Sequence, residues 1–207
     1  DWSSDVCSSD LRQALVSFSM MFINSAAAKY GTNLVAAIGL AMRTMMIINY
    51  VLIGYAQGFQ PFAGYNYGAK NFKRLKESIN LSIRWSTMFL SVMTVMLVLF
   101  ARPIMSVFTD SEEVIYYGSR MFYAICLALP FMGFYQIHMV LFQSLGKAKE
   151  AFILSVARQG IFFLPMILIL PRFFEYNGIL AAQPVADLLT VLLTAVFSIR
   201  LKKEFEF

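Results

Sequence analysis

Three ionisable residues lie where charge is expensive. Arg43, Arg158 and Asp187 sit inside long apolar runs, in the contexts LAMRTMM, VARQGI and PVADLL. A charge within hydrocarbon is retained when it meets an opposite charge or lines a path for an ion or polar solute. Asp187 suits both roles: paired with arginine it locks helices together, and unpaired it is a candidate for protonation. Polar groups recur beside these residues, among them Asn49, Gln136, His138 and Gln159. Hydrogen bonding between helices accounts for such groups as readily as contact with a solute does. Met42, Met45 and Met46, with Phe134 and Tyr135, offer soft surface that repacks around varied shapes. At helical spacing the same residues also serve as ordinary packing.

Other chemistries lack the residues they need. The stretch GYNYGAKN has the glycines and lysine of a phosphate loop, but that loop requires GxxxxGK followed by Ser or Thr. Here the second glycine, Gly68, comes one residue early, Ala69 precedes Lys70, and Asn71 follows. The single histidine, His138, cannot build an HExxH zinc site, and no GxSxG nucleophile elbow occurs. No metal, no cofactor and no enzymatic reaction are therefore expected. The net charge of +5 does not point to nucleic acid, because the basic residues fall between apolar runs rather than along one polar face.

The elements that must position these residues are read from composition. The chain is 59% hydrophobic and 14% charged, with a mean hydropathy of +0.65. Soluble domains are about 45–50% apolar and about 25% charged. About 20 apolar residues cross a bilayer as a helix. Six such runs occur, near Leu11–Ala28, Leu34–Ala63, Ile79–Phe100, Met121–Phe142, Ala151–Leu170 and Gly178–Ile199. The expected fold is all-α: a polytopic membrane protein with a bundle of six transmembrane helices, its surface against the lipid bilayer. The first ten residues, DWSSDVCSSD, have neither the basic start nor the apolar core of a signal peptide. They are expected to form a non-native or disordered leader, leaving 11–207 as the folded unit.

With the amino end inside, twelve basic residues fall on the inner half, including Lys70, Lys73, Arg74, Lys76, Lys147 and Lys149. Four fall outside: Lys29, Arg102, Arg120 and Arg172. The positive-inside rule then places both termini of the segment in the cytoplasm. Arg43 and Asp187 each lie about nine residues into spans entered from outside, roughly 14 Å deep. Arg158 enters from inside on a long side chain, so all three are expected near mid-membrane. Outside, Thr109 and Glu112 have the spacing of a capping box, so a short surface helix is expected there. The second run is overlong. Its Gly54/Gly58 and Gly64/Gly68 pairs suit close helix packing, and Pro61 is expected to bend or break its inner end.

That inner end carries a resemblance. GYAQGFQPFAGYNYGAKNFKR, including Gly54, Gly58, Gln60, Pro61, Gly64, Asn66 and Gly68, resembles the segment after the eighth helix of the multidrug and toxic compound extrusion (MATE) transporters. FQSLGKAKE, ARQGIFFLPMILILP and NGILAAQPVAD resemble the turn before the eleventh helix, that helix, and the start of the twelfth. The resemblance is collinear over about Leu11–Arg200. It implies two lobes of six helices with a substrate cleft between them, of which this chain is the carboxy-terminal lobe. Its partner would be an amino-terminal lobe, its substrates small amphipathic or cationic drugs, its coupling ion H+ or Na+, and its location a bacterial inner membrane. One branch of the family carries coupling acids in the seventh and tenth helices. Leu11–Ala28 and PFMGFYQIHMV contain none, which leaves Asp187 as the local candidate. A lipid-linked oligosaccharide flippase lobe and a non-transporting membrane scaffold subunit are the alternative functions.

Overall fold

In a computed structural model, which describes residues 2–204 and the side chains of 14–201, every regular element among the described residues is helical. The helices are α1 Trp2–Ala28, α2 Thr32–Gly68, α3 Phe72–Ser106, α4 Glu112–Cys126, α5 Met132–Ser144, α6 Ala148–Val156 and α7 Leu164–Glu204. A 3-10 turn, Leu129–Phe131, joins α4 to α5, and a π-helical segment, Ala157–Phe163, joins α6 to α7. The backbone of the Ser/Asp-rich leader, expected to lie outside the fold, continues α1 from Trp2.

These elements make six traverses. α2 and α3 are long and apolar enough to cross a membrane, and so is the stretch Ala148–Leu201. That last stretch doubles back. Arg158 and Asp187 would lie about 44 Å apart along a straight helix, yet their side chains meet at 2.8 Å. The reversal occurs at Glu175, whose backbone takes φ 50° and ψ −133°. Gly178 packs against the other limb so closely that a Cβ there would lie 2.4 Å from the Leu170 carbonyl. Only glycine fits that approach. The apolar part of α1, Ala14–Ala28, adds a fifth traverse, and α4 with α5 a sixth.

The α4–α5 traverse corrects an expectation. Met121–Phe142 is not one straight span but two helices bent by 45°. Pro130 explains the break, because its ring clashes with the carbonyl four residues back, at Cys126, where α4 stops. The expected surface helix does begin at Glu112, but it continues into this span rather than ending on the surface. Its cap is Ser111, and the Thr109 hydroxyl accepts a hydrogen bond from the Ser111 N–H at 3.2 Å in place of a capping box. In α3 the helix runs past Phe100, with a kink there (φ −110°, ψ 18°) upstream of Pro103.

α2 departs from expectation in two ways. It passes through Pro61 unbroken and reaches Gly68, about 55 Å of helix. Proline's fixed φ is itself helical, and one lost hydrogen bond is small against the ladder of a 37-residue helix. The glycine pairs are not close-packing sites within this bundle. A Cβ at Gly54, Gly58 or Gly68 would meet nothing within 4 Å, and at Gly64 only the Ser144 carbonyl at an ordinary 3.7 Å. The stripe that packs is a different one: Leu34, Ala37, Ile38, Ala41, Met45, Ile48, Leu52, Ala56, Phe59 and Ala63 are buried at helical period. The outward faces stay apolar, with Ile47, Val95, Leu99, Phe173 and Leu192 exposed, as lipid contact requires.

The turns sort onto two sides. Asn33, after α1, donates to the Glu113 carboxylate, and Arg120 donates to the Tyr176 hydroxyl beside the Glu175 reversal. On the opposite side the turns after α2 and α5 close alike. Asn71 N–H bonds Asn66 C=O while Lys70 N–H bonds Tyr67 C=O; Lys147 N–H bonds Phe142 C=O while Gly146 N–H bonds Gln143 C=O. Each is a Schellman closure around one left-handed residue. Gly146 adopts φ 70° freely, whereas Lys70 at φ 55° pays for its Cβ. Lys70→Gly is therefore expected to stabilise the protein by about 1 kcal/mol and Gly146→Ala to destabilise it by a similar amount. Thermal unfolding in detergent reads both, and equal shifts of the same sign would refute the shared closure.

Candidate functional site

A cavity of about 420 Å³ opens between α1, α2, α5, the π-helical segment and α7. That is within the size range of small-molecule sites. At one wall Arg158 Nε donates to Asp187 Oδ1 at 2.8 Å, and Gln183 Nε2 donates to the same oxygen at 3.1 Å. The Arg158 guanidinium lies over the Tyr135 ring, 5.5 Å from its centroid. Asp187 is nearly buried, at 6% side-chain exposure, and Arg158 is 23% exposed toward the cavity. Each element of this arrangement has a local cause. The Glu175 reversal brings the two limbs together, the i, i+4 spacing of Gln183 and Asp187 puts them on one face of α7, and Arg158 belongs to the π-helical turn. π-Turns occur mostly at functional positions, because they widen the helix and redirect side chains.

The sequence candidates divide. Met42, Met45, Met46 and Asn49 of α2 line the cavity together with Tyr135 and Gln136 of α5, Gln159 of the π segment, and the Arg158–Asp187 pair. Phe134 and His138 do not. The His138 ring packs against that of Phe134, with centroids 4.1 Å apart and planes tilted by 45°, and is buried in a hydrogen-bonded niche, with Nδ1 2.9 Å from the Phe134 carbonyl. That carbonyl is acceptor only, so Nδ1 carries a proton, and Nε2 shares a hydrogen bond of 2.9 Å with the Ser198 hydroxyl. Arg43 is a correction. It does not meet Asp187, but lies in a separate groove with Leu40, Phe108 and Thr109. Counting residues along α2 placed it at mid-membrane, whereas its groove is shared with Phe108 and Thr109 of the turn after α3 and with Val114 at the start of α4.

The marker segment also reaches the site. Gln60 and Gln57 line the cavity, while Asn66 donates from Nδ2 to the Phe62 carbonyl at 2.8 Å and serves the helix end. Gln183 and Ser19 also belong to the lining, although neither was a sequence candidate. Gln183 was legible as the residue four before Asp187. Ser19 had no signal beyond being a hydroxyl in an apolar helix; it is buried and its oxygen lacks a hydrogen-bond partner. Gln159 Oε1 is likewise buried and unpartnered. An orphaned buried polar atom costs about 1–3 kcal/mol. Among the described residues no group of three or more His, Cys, Asp or Glu is placed to hold a metal ion.

Comparison with known proteins bears on this geometry. A family model described as MatE matches residues 10–169. The chain belongs to the MatE family. It is similar to the multidrug export protein MepA of Staphylococcus haemolyticus, 23% identical over 92% of this chain and 42% of that protein. It is also similar to the FAD transporter of Shewanella oneidensis, 24% identical over 75% of this chain and 34% of that protein. Among solved structures, that of the MATE multidrug transporter DinF-BH is 36% identical, with a TM-score of 0.84 over 97% of this chain and 45% of that one. This MatE chain therefore spans less than half the length of the relatives it matches. It is a membrane transport protein fold, and its all-helical arrangement is that of one lobe of such transporters.

In this MatE lobe the wall of the cavity rests on one ion pair, so its two members should behave as a unit. Removing either partner alone strands a charge and is expected to cost about 3–5 kcal/mol. Arg158→Met together with Asp187→Leu should cost less than the sum of the two singles by about 1–3 kcal/mol. Arg43→Ala combined with Asp187→Leu should be additive within about 0.5 kcal/mol. Unfolding midpoints of the purified variants check both statements; coupling to Arg43 in place of Arg158 would contradict the observed pairing.

Proposed function

We propose that this chain is the carboxy-terminal lobe of a multidrug exporter working by cation-coupled antiport, in which two lobes rock about a shared cleft. The observation that carries the reading is the cavity itself. It lies in the middle of a membrane bundle, combines methionines with amides, and has a hydrogen-bonded ion pair in its wall. Matches to export proteins of roughly twice this length support an amino-terminal lobe as the partner. Small amphipathic or cationic drugs are the proposed substrates, and H+ or Na+ the coupling ion. The bias of twelve inner against four outer cations supports a bacterial inner membrane with both termini of this segment cytoplasmic.

Coupling follows from the pair's two states. With Asp187 ionised, Arg158 and Gln183 hold the α7 limb against the π segment. A proton taken up on Asp187 would discharge it and release Arg158 toward the cavity, loosening one wall. Ion-dependent drug transport by the full-length protein in proteoliposomes tests this reading. Imposed proton and sodium gradients should separate the two ions, and Asp187→Asn should reduce gradient-driven export at least tenfold at normal membrane abundance. Undiminished export by Asp187→Asn would remove that residue from the mechanism.

A further inference from the structure

Arg43 is the charge on a spanning helix that the Arg158–Asp187 pair does not use. It is exposed, and among the described residues it has no hydrogen-bond or ion-pair partner. Such an arginine is retained when something else neutralises it. Its surroundings fix where. From Ala63, the far end of the apolar run in α2, Arg43 lies twenty residues along the helix. That is roughly 30 Å, the thickness of a hydrocarbon core, so Arg43 stands at the other boundary, where headgroups begin. Helical side chains lean toward the N-terminus, which carries the guanidinium toward Gly39, one turn earlier. Gly39 leaves the floor of the groove open, because a Cβ there would meet nothing within 4 Å. The groove encloses about 330 Å³, and Arg43 is the one ionisable residue among the described residues that line it.

The rim has the opposite sign. Asp110 follows Thr109 directly, and Glu112 and Glu113 precede Val114. Glu113 accepts from Asn33, whereas Asp110 and Glu112 have no partner among the described residues. Lys29, Arg102 and Arg120 do not line the groove. A cation in the floor with acids on the rim is the complement of a zwitterion.

We propose that this groove holds a membrane phospholipid with an amine-bearing headgroup, phosphatidylethanolamine, its phosphate on Arg43 and its ammonium toward Asp110 and Glu112. The site is separate from the central cavity and does not depend on what that cavity carries. An arginine fork meets two phosphate oxygens at once. The Thr109 hydroxyl accepts from the Ser111 N–H, which leaves its own proton for the phosphate. Leu40, Phe108 and Val114 supply an apolar wall for the glycerol and the upper acyl chain. Ile47, one turn deeper and exposed, continues that face into the lipid. A headgroup of net negative charge would satisfy Arg43 but oppose the acidic rim, whereas the zwitterion meets both.

The test uses the full-length protein, delipidated in detergent and titrated with dioleoyl phosphatidylethanolamine or dioleoyl phosphatidylglycerol. Native mass spectrometry counts the bound lipid. The wild type should hold phosphatidylethanolamine the more tightly, by about fivefold, the scale of one charge at a membrane surface. Arg43→Ala should weaken it by a similar factor. Gly39→Leu should do the same by filling the groove with Arg43 intact, and it favours folding because it removes a helix-interior glycine. Asp110→Asn combined with Glu112→Gln should erase the preference between the two lipids. Phosphatidylglycerol as the tighter lipid of the wild type would overturn the inference. So would phosphatidylethanolamine binding unmoved by both Arg43→Ala and Gly39→Leu, the outcome expected if the rest of the protein covers the groove. Neither result bears on export through the central cavity.

Discussion

Two charges that must meet inside hydrocarbon organise this bundle. Asp187 and Arg158 are each costly in an apolar interior, and the cost falls only when they touch and their remaining hydrogen-bonding capacity is met. That single requirement constrains much else. It demands a chain reversal between residues 158 and 187, which Glu175 provides in a backbone geometry costing about 1–3 kcal/mol. It demands that the limbs lie close, which Gly178 permits by having no side chain. It also fixes the rotation of α7, so that Gln183 reaches the same carboxylate. The strained turn, the obligatory glycine and the orientation of a long helix are best understood together, as conditions for one contact.

The cavity is the complement of that contact. Because the ion pair sits in the wall and not across the middle, it closes one side and leaves the interior to amides and methionines. Methionine and glutamine share unbranched stems with several rotatable bonds, so both can follow a solute's outline. A lining of this kind trades sharp shape selection for breadth. His138 shows the contrast: both ring nitrogens are engaged and the ring packs at a tilt against Phe134, so it reinforces helix packing away from the cavity.

Much of this was legible in the sequence, for reasons that can be stated. Apolar runs near the length of a bilayer and turn chemistry between them marked the six traverses, since no other folded state hides so much apolar surface. Asp187 and Arg158 stood out because intramembrane charge is rare enough to need a partner. The choice of partner was not legible. Residue counting gave Arg43 and Arg158 nearly the same depth; that Arg158 meets Asp187 while Arg43 lies beside the turn after α3 emerges only from packing. The glycines misled for a related reason: a spacing of four guarantees that Gly54 and Gly58 share a face, not that a helix of this bundle occupies it. Pro61 and Pro130 show that one residue type has two outcomes. The helix continues through the first and breaks at the second, where a 3-10 turn follows at once.

The π-helical segment Ala157–Phe163 acts as a vernier in the eleventh-helix region. Its hydrogen bonds reach one residue further than those of the α-helix, so the residues of α6 and those of the first limb of α7 are out of phase with each other. A helical wheel drawn straight through 148–174 would therefore misassign the faces on one side of it. The wider turn also brings neighbouring side chains nearer in azimuth, which is how the adjacent Arg158 and Gln159 both come to border the same space. The phase offset is a discrete quantity, one residue deep. The ion pair and the amide that faces the cavity thus depend on the length of this segment as much as on their own identities.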